Sequence, residues 1–176
     1  SPLKIKVMEK ILYLHGLESN QGGKKVDYLS SKYIVHAPKL SYKDPKCFDE
    51  IFRLIKENDF DLIIGSSMGG YLALEMGEVF GLPTILFNPA LHSRLFEPVN
   101  NYKPKLGSTV HNVILGGKDE IIDCNKTCEY LNLNDIQYIK ELIPNMTHRT
   151  PLNIFIDVVD KRINQLNTLS NITNKF

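Results

Sequence analysis

Ser67 lies in the pentapeptide from Gly65 to Gly69, which reads Gly-Ser-Ser-Met-Gly. A serine hydroxyl attacks a carbonyl carbon only when a base removes its proton and hydrogen-bond donors stabilise the oxyanion. Glycines two positions before and after the serine let the backbone turn sharply between a strand and a helix, which exposes the hydroxyl. The pattern predicts that Ser67 is a nucleophile for acyl transfer. A tight turn that caps a helix, or a phosphate-binding glycine loop, remains an alternative, although neither GxGxxG nor GxxxxGK[ST] occurs.

The acid that orients a catalytic histidine is expected after the serine, because this kind of site uses the order Ser, Asp or Glu, His. Asp119 follows an apolar run that ends near Leu115, and catalytic groups of open α/β sheets collect at the carboxyl ends of strands. We therefore predict that Asp119 is the acid. Glu120 and Asp123 remain alternatives, because a small change in the turn would point a different carboxylate inward. Asp119 could also be a helix N-cap.

His148 lies in the turn before the last predicted helix and is the candidate general base. It alone follows both the acid and the end of the last predicted strand. Surface or structural roles are expected for the other histidines, which are His15, His36, His92 and His111. His15 borders the first predicted loop and is also a candidate for substrate contact.

Two backbone N–H groups must hold the oxyanion. The residue after the nucleophile, Met68, is expected to supply one of them at the start of a helix. The loop after the first strand is expected to supply the other, and the N–H of Leu17 in His15-Gly16-Leu17 fits this position. An ordinary strand-ending turn is the alternative for this segment.

Strands and helices alternate along the chain, and this order would bring all of these residues to one edge of a sheet. Apolar runs predict six strands, at about residues 11–14, 33–36, 61–64, 84–88, 110–115 and 136–143. Helical spacing of apolar residues predicts the intervening helices. The alternation implies right-handed crossovers and a mostly parallel sheet covered on both faces. We therefore predict one α/β domain over residues 1–176, with a three-layer, doubly wound, six-stranded sheet and no large cap domain.

The segment from 90 to 108 has no clear periodicity. Long irregular segments in compact domains are often binding loops or lids. We predict that its apolar residues form an acyl-binding wall, namely Leu91, Leu95, Phe96 and Tyr102. The alternative is a connecting loop whose apolar residues pack on the core. The polar, Asn-rich tail from about residue 167 is expected to be a frayed helix end or a flexible terminus.

Composition argues against several classes of protein. The 176 residues include 21 basic and 20 acidic side chains, and no basic stripe is interleaved with aromatics, so nucleic acid is not an expected partner. No apolar run approaches the roughly 18 residues that span a bilayer, and the first residues lack an apolar signal segment, so a cytoplasmic location is expected. Cys47, Cys124 and Cys128 form no metal-like pair and are expected to be reduced. Neither a metal nor an organic cofactor is expected.

Four segments resemble, in order and spacing, the YqiA/YcfP-like small bacterial esterases of the α/β-hydrolase superfamily. They are residues 13–19, 65–71, 88–90 and 119–123. The resemblance implies a compact α/β-hydrolase that cleaves a carboxylic ester or a thioester. It implies the roles of nucleophile, acid and base for Ser67, Asp119 and His148, and it favours the backbone of Leu17 and Met68 for the oxyanion hole. The chain departs from the family at Leu17, Met68 and Thr147, where Phe, Leu and a small residue are common.

We therefore expect a serine hydrolase that acts on a small-molecule ester or thioester through an acyl-serine intermediate. Two other functions are compatible with the same fold. A non-catalytic binding protein would be marked by a broken triad, which the sequence does not have. An acyltransferase would form the same acyl-enzyme and pass the acyl group to an acceptor other than water.

Overall fold

The fold is described from a computed structural model, which covers residues 7–17, 22–105 and 109–173, with side chains up to residue 169. Its strands are β1 (Lys10–Leu14), β2 (Ile34–His36), β3 (Leu62–Ser66), β4 (Thr84–Phe87), β5 (His111–Gly116) and β6 (Tyr138–Ile143). Its helices are α1 (Lys24–Lys32), α2 (Cys47–Lys56), α3 (Met68–Phe80), α4 (Cys124–Leu133) and α5 (Leu152–Thr173). Each predicted strand is present, within two residues of its expected ends.

The strands form one sheet in the order β2-β1-β3-β4-β5-β6, and every neighbouring pair is parallel. The prediction of a six-stranded, mostly parallel sheet is confirmed. All residues of β4 and β5 are buried, because helices cover both faces of a parallel sheet. All of the carboxyl ends point to the same edge, which is where ligands of open α/β sheets bind.

Helices cover both faces of the sheet, which confirms the predicted three layers. Successive strand residues point to opposite faces, so Ile63 and Ile64 lie in different cores. The core that contains Ile63 also contains apolar residues of α2, α3 and α4, including Phe48, Ile51, Leu72, Met76 and Leu131. The core that contains Ile64 also contains apolar residues of α1 and α5, including Leu29, Phe155, Val159 and Ile163.

Helix α5 continues to Thr173, through residues for which the polar sequence indicated a frayed end or a flexible terminus. The buried side chain of Leu166 extends its apolar face, and the carboxamide Oδ1 of Asn167 accepts a hydrogen bond from the N–H of Met8 at 2.9 Å. A polar stretch can therefore remain helical when a few residues on one face of the helix contact the rest of the protein. Among the helices that the structure describes, none is long and apolar enough to cross a membrane.

Candidate active site

Ser67 is the single residue between the end of β3 and the start of α3. Its backbone has φ 55° and ψ −117°, a conformation that costs a residue with a side chain about 1–3 kcal/mol. Hydrogen bonds hold this turn: the N–H of Ser67 donates to the carbonyl of Phe87 at 2.9 Å, and its carbonyl accepts from the N–H of Ala90 at 2.9 Å. The predicted sharp turn between strand and helix is therefore present at the predicted serine.

The two glycines that flank this turn are required by close backbone contacts. A Cβ atom added to Gly65 would overlap the carbonyl of Gly69. A Cβ atom added to Gly69 would overlap the carbonyl oxygens of Leu14 and His15 at the end of β1. The absence of these atoms lets the first turn of α3 approach the loop after β1, and it brings together the two segments that sequence reasoning assigned to the oxyanion hole.

The side chains of Ser67, His148 and Asp119 form a continuous hydrogen-bonded chain. The imidazole Nε2 of His148 lies 3.0 Å from Ser67 Oγ, and its Nδ1 lies 2.8 Å from Asp119 Oδ2. With the proton on Nδ1, the imidazole donates to the carboxylate, and Nε2 accepts from the serine hydroxyl. The carboxylate of Asp119 is fully buried and the imidazole is 21% exposed. These contacts match the arrangement of nucleophile, base and orienting acid that covalent catalysis needs.

Of the three candidate carboxylates, Asp119 is the one that contacts His148. Its second oxygen, Oδ1, accepts from the N–H groups of Ile121 at 2.8 Å and Ile122 at 2.9 Å, which fixes the orientation of the carboxylate. Glu120 is exposed. Asp123 is the N-cap of α4, and the N–H of Lys126 donates to its carboxylate and lowers its pKa. The capping role that was an alternative for Asp119 therefore belongs to Asp123.

The backbone groups predicted for the oxyanion hole lie at the same cleft. Met68 is the first residue of α3, so its N–H belongs to the first helical turn, where N–H groups have no helical partner. Leu17 lies in the turn after β1 and lines the cleft together with Ser67 and His148. The positions of both groups are compatible with the predicted role, which stays a prediction.

The cleft at Ser67 has a volume of about 720 Å³, within the range of small-molecule sites. Four aliphatic side chains line it, namely Leu17, Leu95, Ile121 and Leu152, together with the ring of Tyr13. Three basic residues also line it, and sequence reasoning missed them: Lys24, Lys25 and Arg149. Leu95 is 75% exposed, so its side chain lies at the open mouth of the cleft, where a substrate would cover it.

Three residues of the predicted acyl-binding wall, Leu91, Phe96 and Tyr102, do not line this cleft and are corrected here. Leu91 is buried in the core that contains Ile63, and Phe96 and Tyr102 are partly buried. Both pack against the core on the side of α2 and α3. The ring of Tyr102 stacks on Phe52 with centroids 3.8 Å apart, and its hydroxyl donates to Asp49 at 2.7 Å. These contacts fit the alternative of a connecting loop that packs on the core. Leu95 is the predicted wall residue that remains at the cleft, and residues 106–108 lie outside the described chain.

His15 is buried and does not line the cleft, so its predicted substrate contact is also corrected. Its Nε2 accepts from the N–H of Leu40 at 3.1 Å, and its carbonyl accepts from the hydroxyl of Tyr42. These contacts hold the loop after β1 in place, which is a structural role. Glu18 and Ser19, which belong to the same resembling segment, lie outside the described residues.

Asn88 joins the loop of His148 to the sheet, a role that sequence reasoning missed. Its side-chain Nδ2 donates to the carbonyls of Thr147 at 3.2 Å and His148 at 3.0 Å. Its Oδ1 accepts from the N–H of Gly116 at 2.8 Å. The backbone of Asn88 has φ 42°, in a region that Asn adopts more readily than most residues. A polar residue directly after a buried strand, at the edge that holds the other candidates, was the available signal.

Comparisons with known proteins agree with this fold. A UPF0227 protein, YcfP of Salmonella arizonae, is 28% identical over 148 residues, which are 69% of this chain and 82% of that protein. A protein of Xanthomonas campestris pv. campestris described as a hydrolase of the α/β superfamily superposes with a TM-score of 0.66 at 14% identity, over 93% of this chain and 99% of that one. An α/β-hydrolase enzyme from a Medee basin deep-sea metagenome superposes with a TM-score of 0.67 at 15% identity, over 92% and 86% of the two chains.

These likenesses confirm the predicted α/β-hydrolase fold and the resemblance to YqiA/YcfP-like proteins. The profile of one family matches residues 10–113, more than half of the 176-residue chain. The matched region includes Ser67, Met68 and Asn88, and it ends before Asp119 and His148. The chain therefore belongs to UPF0227, an uncharacterised protein family.

Proposed function

We propose that this protein is a serine hydrolase that cleaves a carboxylic ester or a thioester. The observation that carries the proposal is the unbroken hydrogen-bonded chain from Asp119 through His148 to Ser67, at the end of a cleft large enough for a small molecule. The strained backbone at Ser67 adds support, because strain of this kind clusters at functional sites and persists only where surrounding contacts enforce it.

The first half of the reaction forms an acyl-enzyme. Nε2 of His148 takes the hydroxyl proton as Ser67 Oγ attacks the carbonyl carbon, and the N–H groups of Leu17 and Met68 stabilise the resulting oxyanion. The carboxylate of Asp119 stabilises the imidazolium that forms and keeps the ring oriented. His148 then gives its proton to the departing alcohol or thiol, and the acyl group remains on Ser67.

The second half releases the acid. A water molecule gives a proton to Nε2 of His148 and attacks the acyl carbonyl, again with the oxyanion held by the two N–H groups. Collapse of this intermediate breaks the bond to Ser67 Oγ, and His148 returns the proton to the serine. Every proton transfer passes through Nε2 of His148, so the cycle proposed here needs no added cofactor.

The proposal is tested by covalent labelling with a neutral alkyl fluorophosphonate, which reacts with an activated serine. We expect intact-mass analysis to show one adduct on the folded wild-type protein, mapped by peptide sequencing to Ser67. Ser67→Ala should not be labelled, whereas Ser66→Ala, which removes the neighbouring hydroxyl, should still be labelled. A folded wild-type protein that takes up no probe would overturn the proposal, as would equal labelling of Ser67→Ala. A separate assay, with an ester substrate and an added alcohol, distinguishes an acyltransferase. An acyltransferase would pass the acyl group to the alcohol, whereas a hydrolase would release the free acid.

The contacts of Asn88 predict that Asn88→Asp lowers kcat for a chromogenic ester by about 100-fold, with a smaller change in KM. The substitution removes both N–H donors and turns a carboxylate oxygen toward the carbonyls of Thr147 and His148. The His148 loop is then repelled from β4, and the imidazole leaves the position from which it accepts the proton of Ser67. Steady-state kinetics over a range of substrate concentrations separate kcat from KM.

Asn134→Asp is the matched control for this variant. The Asn134 side chain also donates to a backbone carbonyl, that of Tyr130 at 2.8 Å, but it does so on the exposed end of α4. Its kcat should stay within about twofold of wild type. A kcat for Asn88→Asp equal to that of this control would contradict the positioning role.

A further inference from the structure

One side of the Ser67 cleft is basic. Lys24 and Lys25 contribute from the first turn of α1, and Arg149 contributes from the residue directly after His148. The described lining of the cleft includes no Asp or Glu. The chain as a whole is nearly neutral, with 21 basic and 20 acidic residues, so the positive charge beside the candidate nucleophile is a local concentration and not a property of the entire surface.

These cations have no anionic partner within the part of the chain that the structure describes. No described carboxylate lies within ion-pair distance of Lys24, Lys25 or Arg149. By contrast, Lys32 at the other end of α1 lies 3.5 Å from the carboxylate of Asp160. Among the described residues, the cations of the cleft thus differ from Lys32 on the same helix in having no carboxylate partner.

The side chain of Lys25 lies in a partly dehydrated position, where an unpaired charge lowers the stability of the folded protein. Its side chain is half-buried, with Nζ 5.5 Å from the centroid of the Phe155 ring. Burial lowers the pKa of Lys25, and the nearby positive charge of Arg149 lowers it further. Like charges that meet at a partly dehydrated position destabilise the folded protein unless an anion lies between them.

The same wall of the cleft also holds a neutral hydrogen-bond donor, the hydroxyl of Thr150, that has no partner among the described residues. Thr150 is 5% exposed, and its hydroxyl is buried. A buried hydroxyl without a partner costs about 1–3 kcal/mol. Leu152, two residues after Thr150, also lines the cleft and begins the 22-residue helix α5. The positive end of this helix dipole therefore lies at the same wall of the cleft, and no acidic residue in the first turn of α5 offsets it.

We propose that Lys24, Lys25, Arg149 and Thr150 form an anion subsite, and that the substrate is an ester or thioester bearing a carboxylate or phosphate group that binds there. The proposal rests on the proposed function, because the subsite is assigned to the substrate of the Ser67 reaction. Its chemistry follows from three basic side chains and a hydroxyl donor that converge beside a helix N-terminus, all of which are typical contacts of bound anions. Because Arg149 is adjacent to His148, the anionic group would lie next to the reacting carbonyl.

The test compares matched chromogenic esters with the wild-type protein at low salt. Mono-4-nitrophenyl succinate carries a carboxylate on the acyl side, and 4-nitrophenyl butyrate is its neutral partner. 4-Acetoxybenzoate carries a carboxylate on the leaving group, and phenyl acetate is its neutral partner. We expect kcat/KM to favour the anionic ester of at least one pair by about 10- to 100-fold, and the pair with the larger ratio identifies the side of the substrate that holds the anion. Wild-type ratios at or below one in both pairs would overturn the subsite.

Charge-removing variants assign the preference to these residues. We expect the double variant Lys25→Gln/Arg149→Gln to reduce the anionic-to-neutral ratio at least tenfold and to weaken inhibition by inorganic phosphate and succinate. Lys32→Gln removes one charge from the same helix outside the cleft and should keep the wild-type ratio. An unchanged ratio in the double variant would contradict the proposal, as would an equal fall in Lys32→Gln.

Failure of the subsite and failure of the hydrolase proposal give different results. The fluorophosphonate probe is uncharged, so Ser67 labelling reports on the triad independently of the subsite. Calorimetric titration with succinate and with phosphate measures anion binding without turnover. Labelling of Ser67 without anion preference or anion binding overturns only the subsite. Anion binding that the double variant loses, in a protein whose Ser67 is not labelled, overturns the hydrolase and supports the anion site.

Discussion

Ser67→Ala and His148→Ala are each expected to lower kcat for ester hydrolysis by about 10⁶-fold, and the double variant is expected to lose no more than either one alone. The reason is the 3.0 Å contact between Ser67 Oγ and Nε2 of His148. A serine without its base keeps its proton, and a base without its serine has no proton to take. Removing either partner therefore abolishes the same step, and the remaining rate comes from binding and the oxyanion donors.

This prediction is checked by single-turnover and steady-state hydrolysis of a chromogenic ester by all three variants. His36→Ala is the control for loss of an imidazole, because His36 lies on edge strand β2 with its ring against Phe60. Its kcat should stay within about threefold of wild type. A single variant that keeps more than a hundredth of wild-type kcat would contradict the assignment, and so would a double variant that is far slower than either single one.

Asp119→Asn is expected to lower kcat by about 10⁴-fold, whereas Glu120→Gln should leave it nearly unchanged. An amide at position 119 can present an N–H to Nδ1 of His148, which favours the tautomer with the proton on Nε2. In that tautomer Nε2 cannot accept the proton of Ser67, although the packing of the buried side chain is preserved. The exposed Glu120 contacts neither ring nitrogen.

Hydrolysis rates of the two variants and of Asp123→Ala distinguish the three carboxylates that the sequence left open. Asp123→Ala removes the cap of α4 and should lower the melting temperature while leaving kcat nearly unchanged, because the carboxylate of Asp123 is bonded to Asn125 and Lys126 and not to His148. A larger loss of kcat in Glu120→Gln than in Asp119→Asn would refute the assignment of the acid.

The fold was predictable because each strand and helix has a local signal. The apolar run before Gly65 and the helical spacing after Gly69 place a turn at Ser67 whatever the rest of the chain does. The parallel sheet then predicts that the acid and the histidine lie at the same edge as Ser67, since successive strands end at that edge. Asp119 could not be separated from Glu120 in this way, because which carboxylate points inward depends on the N–H groups of Ile121 and Ile122.

Contacts between distant segments were not predictable. Lys25 and Arg149 are far apart in the chain, and their approach depends on how α1 packs beside the His148 loop. The position of Tyr102 was misjudged for a related reason, because helix α2 offers the face of Phe52 as a stacking partner. Periodicity within a segment predicts which face of its helix or strand a side chain lies on. It does not predict which residue of another element that side chain contacts.

Strand β4 supplies none of the three triad residues, yet its end is bonded to two of them. The carbonyl of Phe87 accepts from the N–H of Ser67, and the side chain of Asn88 holds the carbonyl of His148. We therefore expect a displacement of this strand relative to its neighbours to move Ser67 and the His148 imidazole in the same direction. The separation of Ser67 Oγ and His148 Nε2 is then expected to vary less than the spacing of the strands that precede them.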